Sequence, residues 1–147
     1  MKKLLIVFLL LMSLVACGAK ETTTICTSED YYGMYVTTYK SKGDEVQVIS
    51  SETSFYVDEM YTNEEIYSEM DNYSASISGI KGVTYSYTYD EETRLIVETT
   101  AVDFRQTKII DLVDAGFFDS SYRNVDYISL KQSIDLQENS NGTCSTK

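Results

Sequence analysis

Along much of this chain apolar and polar side chains alternate with a period of two, and the few departures from that period mark the remaining elements. Met34 to Lys40 sets Met34, Val36 and Thr38 against Tyr35, Thr37 and Tyr39, the pattern of a half-buried strand. Ser41-Lys42-Gly43-Asp44 is a tight turn in which Gly43 supplies a positive φ. Alternation resumes from Glu45 to Val57, through Val46 and Val48 and then Phe55 and Val57, so the two runs predict a hairpin with a long second strand. Ahead of it, Thr22 to Thr27 is largely β-branched and reads as a first strand, followed by a turn at Asp30-Tyr31-Tyr32-Gly33. Val83 to Tyr89 is the clearest strand: Val83, Tyr85, Tyr87 and Tyr89 share one face, and Thr84, Ser86 and Thr88 the other. Asp90-Glu91-Glu92-Thr93 turns the chain, and Leu95 to Phe104 returns antiparallel to it.

Two stretches switch to helical spacing. Thr62-Asn63-Glu64-Glu65 is a capping box, in which the Thr62 hydroxyl caps the third residue on and Glu65 reaches back. Ile66, Met70, Tyr73 and Ile77 then form one apolar stripe, with Gly79 expected as the C-cap. Such a stripe packs on a sheet far more often than it holds a cofactor. Ser129 opens a second helix, with Gln132 in the reciprocal position of its capping box and Leu130 and Ile134 on the inner side. Asn141-Gly142 stops it, and Thr143-Cys144 reaches back toward the first strand. Residues 105–127 are the least legible: Ile109, Ile110, Leu112 and Val113 fit a short helix or a strand, and Gly116-Phe117-Phe118 reads as an apolar loop plugging the core. These elements predict an α+β domain, an antiparallel sheet of four to five strands with two helices packed on one face. The row Tyr85, Tyr87, Tyr89 is either an exposed platform for sugars or peptides or the surface on which the helix lies, each phenol reaching its hydroxyl to the rim; the second reading is preferred.

The amino terminus follows neither period. Lys2 and Lys3 precede an apolar run from Leu4 to Ala16, which is too short for a membrane-crossing helix of roughly 20 residues. The run ends in Leu14-Val15-Ala16-Cys17, a lipobox. An ordinary secretory signal wants small residues two apart before the cut, and Leu14 stands where the first should be. The expectation is a lipoprotein signal peptide over 1–16 and a diacylglyceryl thioether, a palmitate-bearing anchor, on Cys17. Two acyl chains hold a protein durably where one does not. Residues 17–24, including Lys20, Glu21 and Thr22 to Thr24, would be the lipidated N-terminus and a polar tether, and 25–147 a single domain on the outer face of a bacterial cytoplasmic membrane. Once Cys17 is lipidated, Cys26 and Cys144 remain as an even pair on the side of the membrane where disulfides persist. A Cys26–Cys144 bridge is expected, worth ~4–5 kcal/mol in the chain-entropy model; the alternative is two free thiols.

Composition then narrows the chemistry. The chain has 147 residues with 12 basic and 23 acidic side chains; removal of 1–16 takes away Lys2 and Lys3 and no acid, so the net charge moves from −11 to −13. Such a surface disfavours nucleic acid and holds the domain off anionic headgroups except at its anchor. The absence of His removes the usual general base, the commonest metal ligand and any Ser-His or Cys-His nucleophile pair. Asp58-Glu59, Asp90-Glu91-Glu92 and the spread Asp111, Asp114 and Asp119 lack the alternating pattern with central Gly of a calcium loop. No catalytic residue, metal or cofactor is assigned.

The residues also carry a resemblance. Gly18 after the lipobox, Tyr39-Lys40-Ser41-Lys42-Gly43-Asp44-Glu45-Val46, Ser51-Glu52-Thr53, Ile80-Lys81-Gly82-Val83 and Val102-Asp103-Phe104 together resemble the YehR-like lipoproteins, small bacterial lipoproteins without a settled function. The resemblance covers most of the chain beyond the signal. It implies an α+β domain with an antiparallel sheet and brings no catalytic residues with it. Three functions stay open: a membrane-tethered, non-enzymatic binding or envelope-interaction domain; a carboxylate-dependent hydrolase of cell-wall polymers; and a precursor whose signal releases a short apolar signalling peptide from Leu9 to Ala16.

Overall fold

The computed structural model describes residues 19–147. The signal segment and Cys17 lie outside the described residues. Six strands form one antiparallel sheet: β1 (Glu21–Glu29), β2 (Gly33–Lys42), β3 (Glu45–Tyr56), β4 (Val83–Asp90), β5 (Leu95–Asp103) and β6 (Thr143–Thr146), in the order β4-β5-β3-β2-β1-β6. Three α-helices accompany them: α1 (Asn63–Ile77), α2 (Ile109–Asp114) and α3 (Leu130–Asn139), with a 3-10 turn over Ser120–Asn124. Among the described residues the sheet is therefore larger than the expected four to five strands, and the helices number three rather than two. The extra strand is β6. Its four residues are too few to show a period, and it exists because Thr143 to Thr146 pair with Thr27 to Thr24. Among the described residues no helix is long and apolar enough to cross a membrane.

The sheet begins earlier than the tether reading allowed. Glu21 to Thr24 already pair with Lys42 to Tyr39, and Thr24 is fully buried, its hydroxyl 2.8 Å from that of Thr146. A run of threonines is polar in composition yet β-branched in shape, and in a sheet the shape decides.

Turn chemistry follows the sequence closely. Gly43 has φ +64° in the two-residue turn between β2 and β3. The Asp30 carboxylate accepts from the backbone N–H of Tyr32 and Gly33, and that of Asp90 from Glu92 and Thr93. The α1 capping box is complete: Thr62 Oγ1 accepts from Glu65 N at 3.2 Å, and Glu65 accepts from Thr62 N at 2.8 Å. The helix stops at Ser78 rather than at Gly79; the positive φ falls at Gly82, where a Cβ would meet the Asp103 carbonyl oxygen at 2.9 Å. The α3 box is only half of what was expected. Ser129 Oγ accepts from Gln132 N at 3.2 Å, and the second side-chain contact at this helix start is a different one: the Asp44 carboxylate accepts from Ser129 Oγ at 2.7 Å and from Lys131 N at 2.8 Å. A long-range carboxylate thus caps the helix start at a donor, Lys131 N–H, that the local box would have left open.

The register sorts side chains into two faces. Among the described residues one carries the three helices; the other, lined by Thr38, Ser50, Thr84, Ser86 and Thr99 among others, carries none. On the helix-bearing face α3 lies over β6 and β1, where Leu130 and Ile134 pack on the buried cluster Cys26, Tyr39 and Val46. α1 lies over β4, burying Ile66 and Ile77. The uncertain segment 105–127 resolves as helix α2, which buries Ile109, Leu112 and Val113, and Phe118 sits 6.1 Å from Phe104, centroid to centroid, so the apolar loop does pack inward.

Candidate functional site

Four side-chain rows cross the middle of the helix-bearing face. Tyr39, Ile49 and Val102 form an apolar row on β2, β3 and β5, and Phe55 and Ile96 form another farther along β3 and β5. Between them run two polar rows, Thr37–Ser51–Thr100 and Tyr35–Thr53–Glu98. Helix α1 covers the β4 side and α3 the β6 side, so the polar rows form the floor of a trough between the two helices.

The trough holds two clefts that share β3 as floor. One, of about 420 Å³, has Tyr35, Thr37, Ser51 and Thr53 beneath and Leu136 and Gln137 on its α3 wall. The other, of about 490 Å³, lies beside α1 against Phe55, Ile66, Met70 and Ile96, with Glu65 and Glu69 at its lip. Hydroxyls dominate the first: Thr37 Oγ1 and Ser51 Oγ are 3.4 Å apart. Leu136 stands over it 63% exposed. This arrangement offers hydroxyl donors and acceptors flanked by apolar walls, which suits a neutral or cationic molecule with polar edges.

The tyrosine row lies under α1. Tyr89 donates its hydroxyl to Asn63 at 2.9 Å, Tyr87 to Asp71 at 2.8 Å, and Tyr85 to Glu98. Tyr67 and Tyr73 of α1 meet Tyr89 and Tyr85 edge to face, at 5.5 and 5.0 Å between centroids. The row is the surface on which the helix lies, as preferred from sequence. Burial, followed by the bonds to Glu98 and to Asp71, raises the pKa of Tyr85 and Tyr87.

Cys26 and Cys144 are cross-strand partners on β1 and β6 and are joined by a disulfide, S–S 2.01 Å, with Cys26 almost wholly buried. The acidic clusters are not gathered into one site. Asp114 pairs with Arg123 at 2.7 Å, and Asp119 caps the 3-10 turn by accepting from Ser121 N. Among the described residues no three Cys, Asp or Glu side chains converge as metal ligands. Backbone N–H donors lower the pKa of Asp44, Glu65, Asp90 and Asp119, and the Arg105 guanidinium that of Asp103. Each is held ionised, whereas a general acid needs a pKa raised toward neutrality.

A family model described as "Protein of unknown function (DUF1307)" matches residues 21–142. The chain belongs to the DUF1307 family. The family match starts where β1 starts and reaches Gly142, just before β6, so it spans the trough and both helices that wall it. Two solved structures share the fold. The NMR structure of Escherichia coli YehR is 23% identical, covers 84% of this chain and 89% of its own, and superposes with a TM-score of 0.64. An NMR structure of a Streptococcus pneumoniae TIGR4 protein is 14% identical, with 84% of each chain covered and a TM-score of 0.60. The chain is thus YehR-like, as its short motifs suggested. No curated protein matches it.

The polar rows were not singled out from sequence. Their signal was present: Ser51 and Thr53 have the parity of Ile49 and Phe55 in β3, so hydroxyls interrupt what should be an apolar face. Which residues then stand opposite them depends on strand order, and a single chain read in sequence does not show that.

Proposed function

We propose that this DUF1307 domain is a lipid-anchored binding module of the bacterial envelope, held to the outer face of the cytoplasmic membrane through Cys17, and that it works without covalent chemistry. The observation that carries the anchor is the lipobox Leu14-Val15-Ala16-Cys17, placed only a few residues ahead of Glu21, the first residue of β1. So short a spacer holds the start of the sheet close to the bilayer. The Cys26–Cys144 disulfide fits an oxidising, exported setting. The binding reading rests on the trough, whose two clefts are large enough for a small molecule or a short peptide segment. The non-enzymatic reading is supported by Asp44, Glu65, Asp90, Asp103 and Asp119, whose hydrogen-bond donors favour the ionised form over that of a general acid, and by the lack of His.

Metabolic labelling with an alkyne fatty acid tests the anchor. The full chain should take up label and fractionate with membranes, and Cys17→Ser should lose the label and accumulate with residues 1–16 attached. A labelled Cys17→Ser variant, or unlabelled wild-type protein in the cytosol, overturns it. Incubation with purified cell-wall polymer tests the second half: release of soluble fragments that Glu98→Gln abolishes would replace binding with hydrolysis.

A further inference from the structure

The two ends of the sheet differ in a way that the trough does not explain. β1 runs from Glu21 to Glu29, so the turns beyond Glu29, Tyr56 and Asp90 all lie at the end remote from residue 21. That end exposes an unusual amount of aromatic and thioether surface. Tyr31 is 96% exposed, Tyr32 74%, Tyr56 71% and Met60 75%, with Met34 and Tyr61 about half exposed beside them. The pairing of Gly33 with Phe55 sets Tyr32 and Tyr56 at neighbouring ladder positions, and Tyr31 and Tyr32 meet edge to face at 5.5 Å. Single exposed apolar residues are ordinary; six at one end of a small domain are not.

The loop bearing Met60 and Tyr61 is also held in place. The Arg94 guanidinium donates to the carbonyl oxygens of Val57 at 3.2 Å, Asp58 at 2.7 Å and Tyr61 at 2.8 Å, from a backbone at φ +57°. Arg94 is the one basic residue at this end among the described residues, and its donors are turned inward onto those carbonyls. The three turns meanwhile carry Glu29–Asp30, Asp58–Glu59 and Asp90–Glu92, all exposed. Lys42, Lys81, Arg105 and Lys131 sit at the opposite end, beside β2, β4 and β5 and over the Asp44 turn. Preformed tyrosine faces ringed by carboxylates, with the local guanidinium already engaged, complement a chain of guanidinium or ammonium groups: each cation can lie over a phenol ring and reach a carboxylate. The same negative charge opposes an anionic lipid surface.

We propose that the Tyr31/Tyr32/Tyr56 end is a docking surface for a basic, Arg-rich polypeptide segment of a partner protein. That this end points away from the membrane rests on the lipid anchor proposed above; the docking itself does not. The full chain in neutral maltoside micelles is titrated against fluorescein-labelled nona-arginine at near-physiological salt. Tyr31→Ser/Tyr32→Ser/Tyr56→Ser should weaken binding about tenfold, whereas Tyr122→Ser/Tyr127→Ser, exposed aromatics elsewhere, should leave it within twofold. Unchanged far-UV circular dichroism confirms that the variants fold, and amide shifts on titration should concentrate in Asp30–Met34 and Tyr56–Tyr61. Equal binding by all three proteins means diffuse attraction to an acidic domain and overturns the proposal, as does no binding. Binding of the same end to phosphatidylcholine vesicles in place of nona-arginine overturns it in favour of a lipid surface. Failure of fatty-acid labelling alongside tyrosine-dependent peptide binding sinks the anchor and leaves the docking surface standing.

Discussion

Helices α1 and α3 lie on the same face of one sheet, yet different physics holds each. Beneath α1 the sheet offers tyrosines, and the seam is a set of rings that meet Tyr67 and Tyr73 of α1 edge to face and whose hydroxyls reach polar partners on α1 or β5. Beneath α3 it offers Cys26, Tyr39 and Val46, and the seam is apolar, closed by a disulfide to β6 and fastened at its start by the Asp44 carboxylate. The difference follows from the polar rows between them. Because Thr37, Ser51, Thr53 and Thr100 interrupt the apolar face, the two helices cannot share one continuous core, and each needs its own means of attachment at its own edge.

The largest test of this contrast is the disulfide. It joins residues 118 apart, so its loss frees most of the domain in the unfolded state, and Cys26→Ser/Cys144→Ser should cost roughly 4–5 kcal/mol by guanidinium denaturation in the chain-entropy model. Hydrogen exchange should show protection falling first in β6 and α3, with α1 amides opening only in global unfolding. The reciprocal change is smaller. Ile66→Ala removes a 5% exposed side chain from under α1 and should cost about 3 kcal/mol, with exchange rising along α1 and not along α3. If both helices lose protection equally in either variant, the polar rows do not divide the face, and the domain unfolds as a single unit.

Legibility from sequence follows the same division. The α1 flank was readable because its information is local: the Thr62–Glu65 box, the Ile66–Ile77 stripe and the Tyr85–Tyr89 alternation each sit within one short window. On the α3 flank the cysteine pair and the inner positions Leu130 and Ile134 were found, because cysteine counting and helical spacing need no knowledge of topology. What escaped was long-range. Asp44 caps a helix that begins at residue 130, and β6 is a strand only because β1 offers it an edge. Thr22 to Thr24 carried two readings, the end of a tether and the start of the first strand; their pairing with Ser41 to Tyr39, and the bond from Thr24 to Thr146, place them in the strand. The trough and the exposed tyrosine end depend on which rows and turns come together, so both required the assembled sheet.

The smallest effects, and the most discriminating between the two flanks, come from pH. Lys131 N–H and Ser129 Oγ lower the Asp44 pKa, so the folded chain favours the carboxylate. Its contribution is present above the unfolded value of about 3.9 and disappears as pH falls through the lower folded value. The phenols of Tyr67, Tyr85 and Tyr87 shift the other way, Tyr67 chiefly through its bond to Glu91 and the other two chiefly through burial. Their contribution is complete below about pH 10 and is lost as pH rises toward the higher folded values. Glu65 on the α1 flank and Tyr39 on the α3 flank titrate in the opposite sense to their neighbours, so wild-type curves alone do not separate the flanks. Variants do. In thermal midpoints followed by circular dichroism, Asp44→Asn should flatten the acid limb and leave the alkaline limb unchanged. Tyr67→Phe/Tyr85→Phe/Tyr87→Phe should flatten the alkaline limb and leave the acid limb unchanged. An Asp44 variant with a wild-type acid limb would show that α3 is held by its apolar seam and disulfide alone, with the carboxylate clasp contributing nothing to the difference between the flanks.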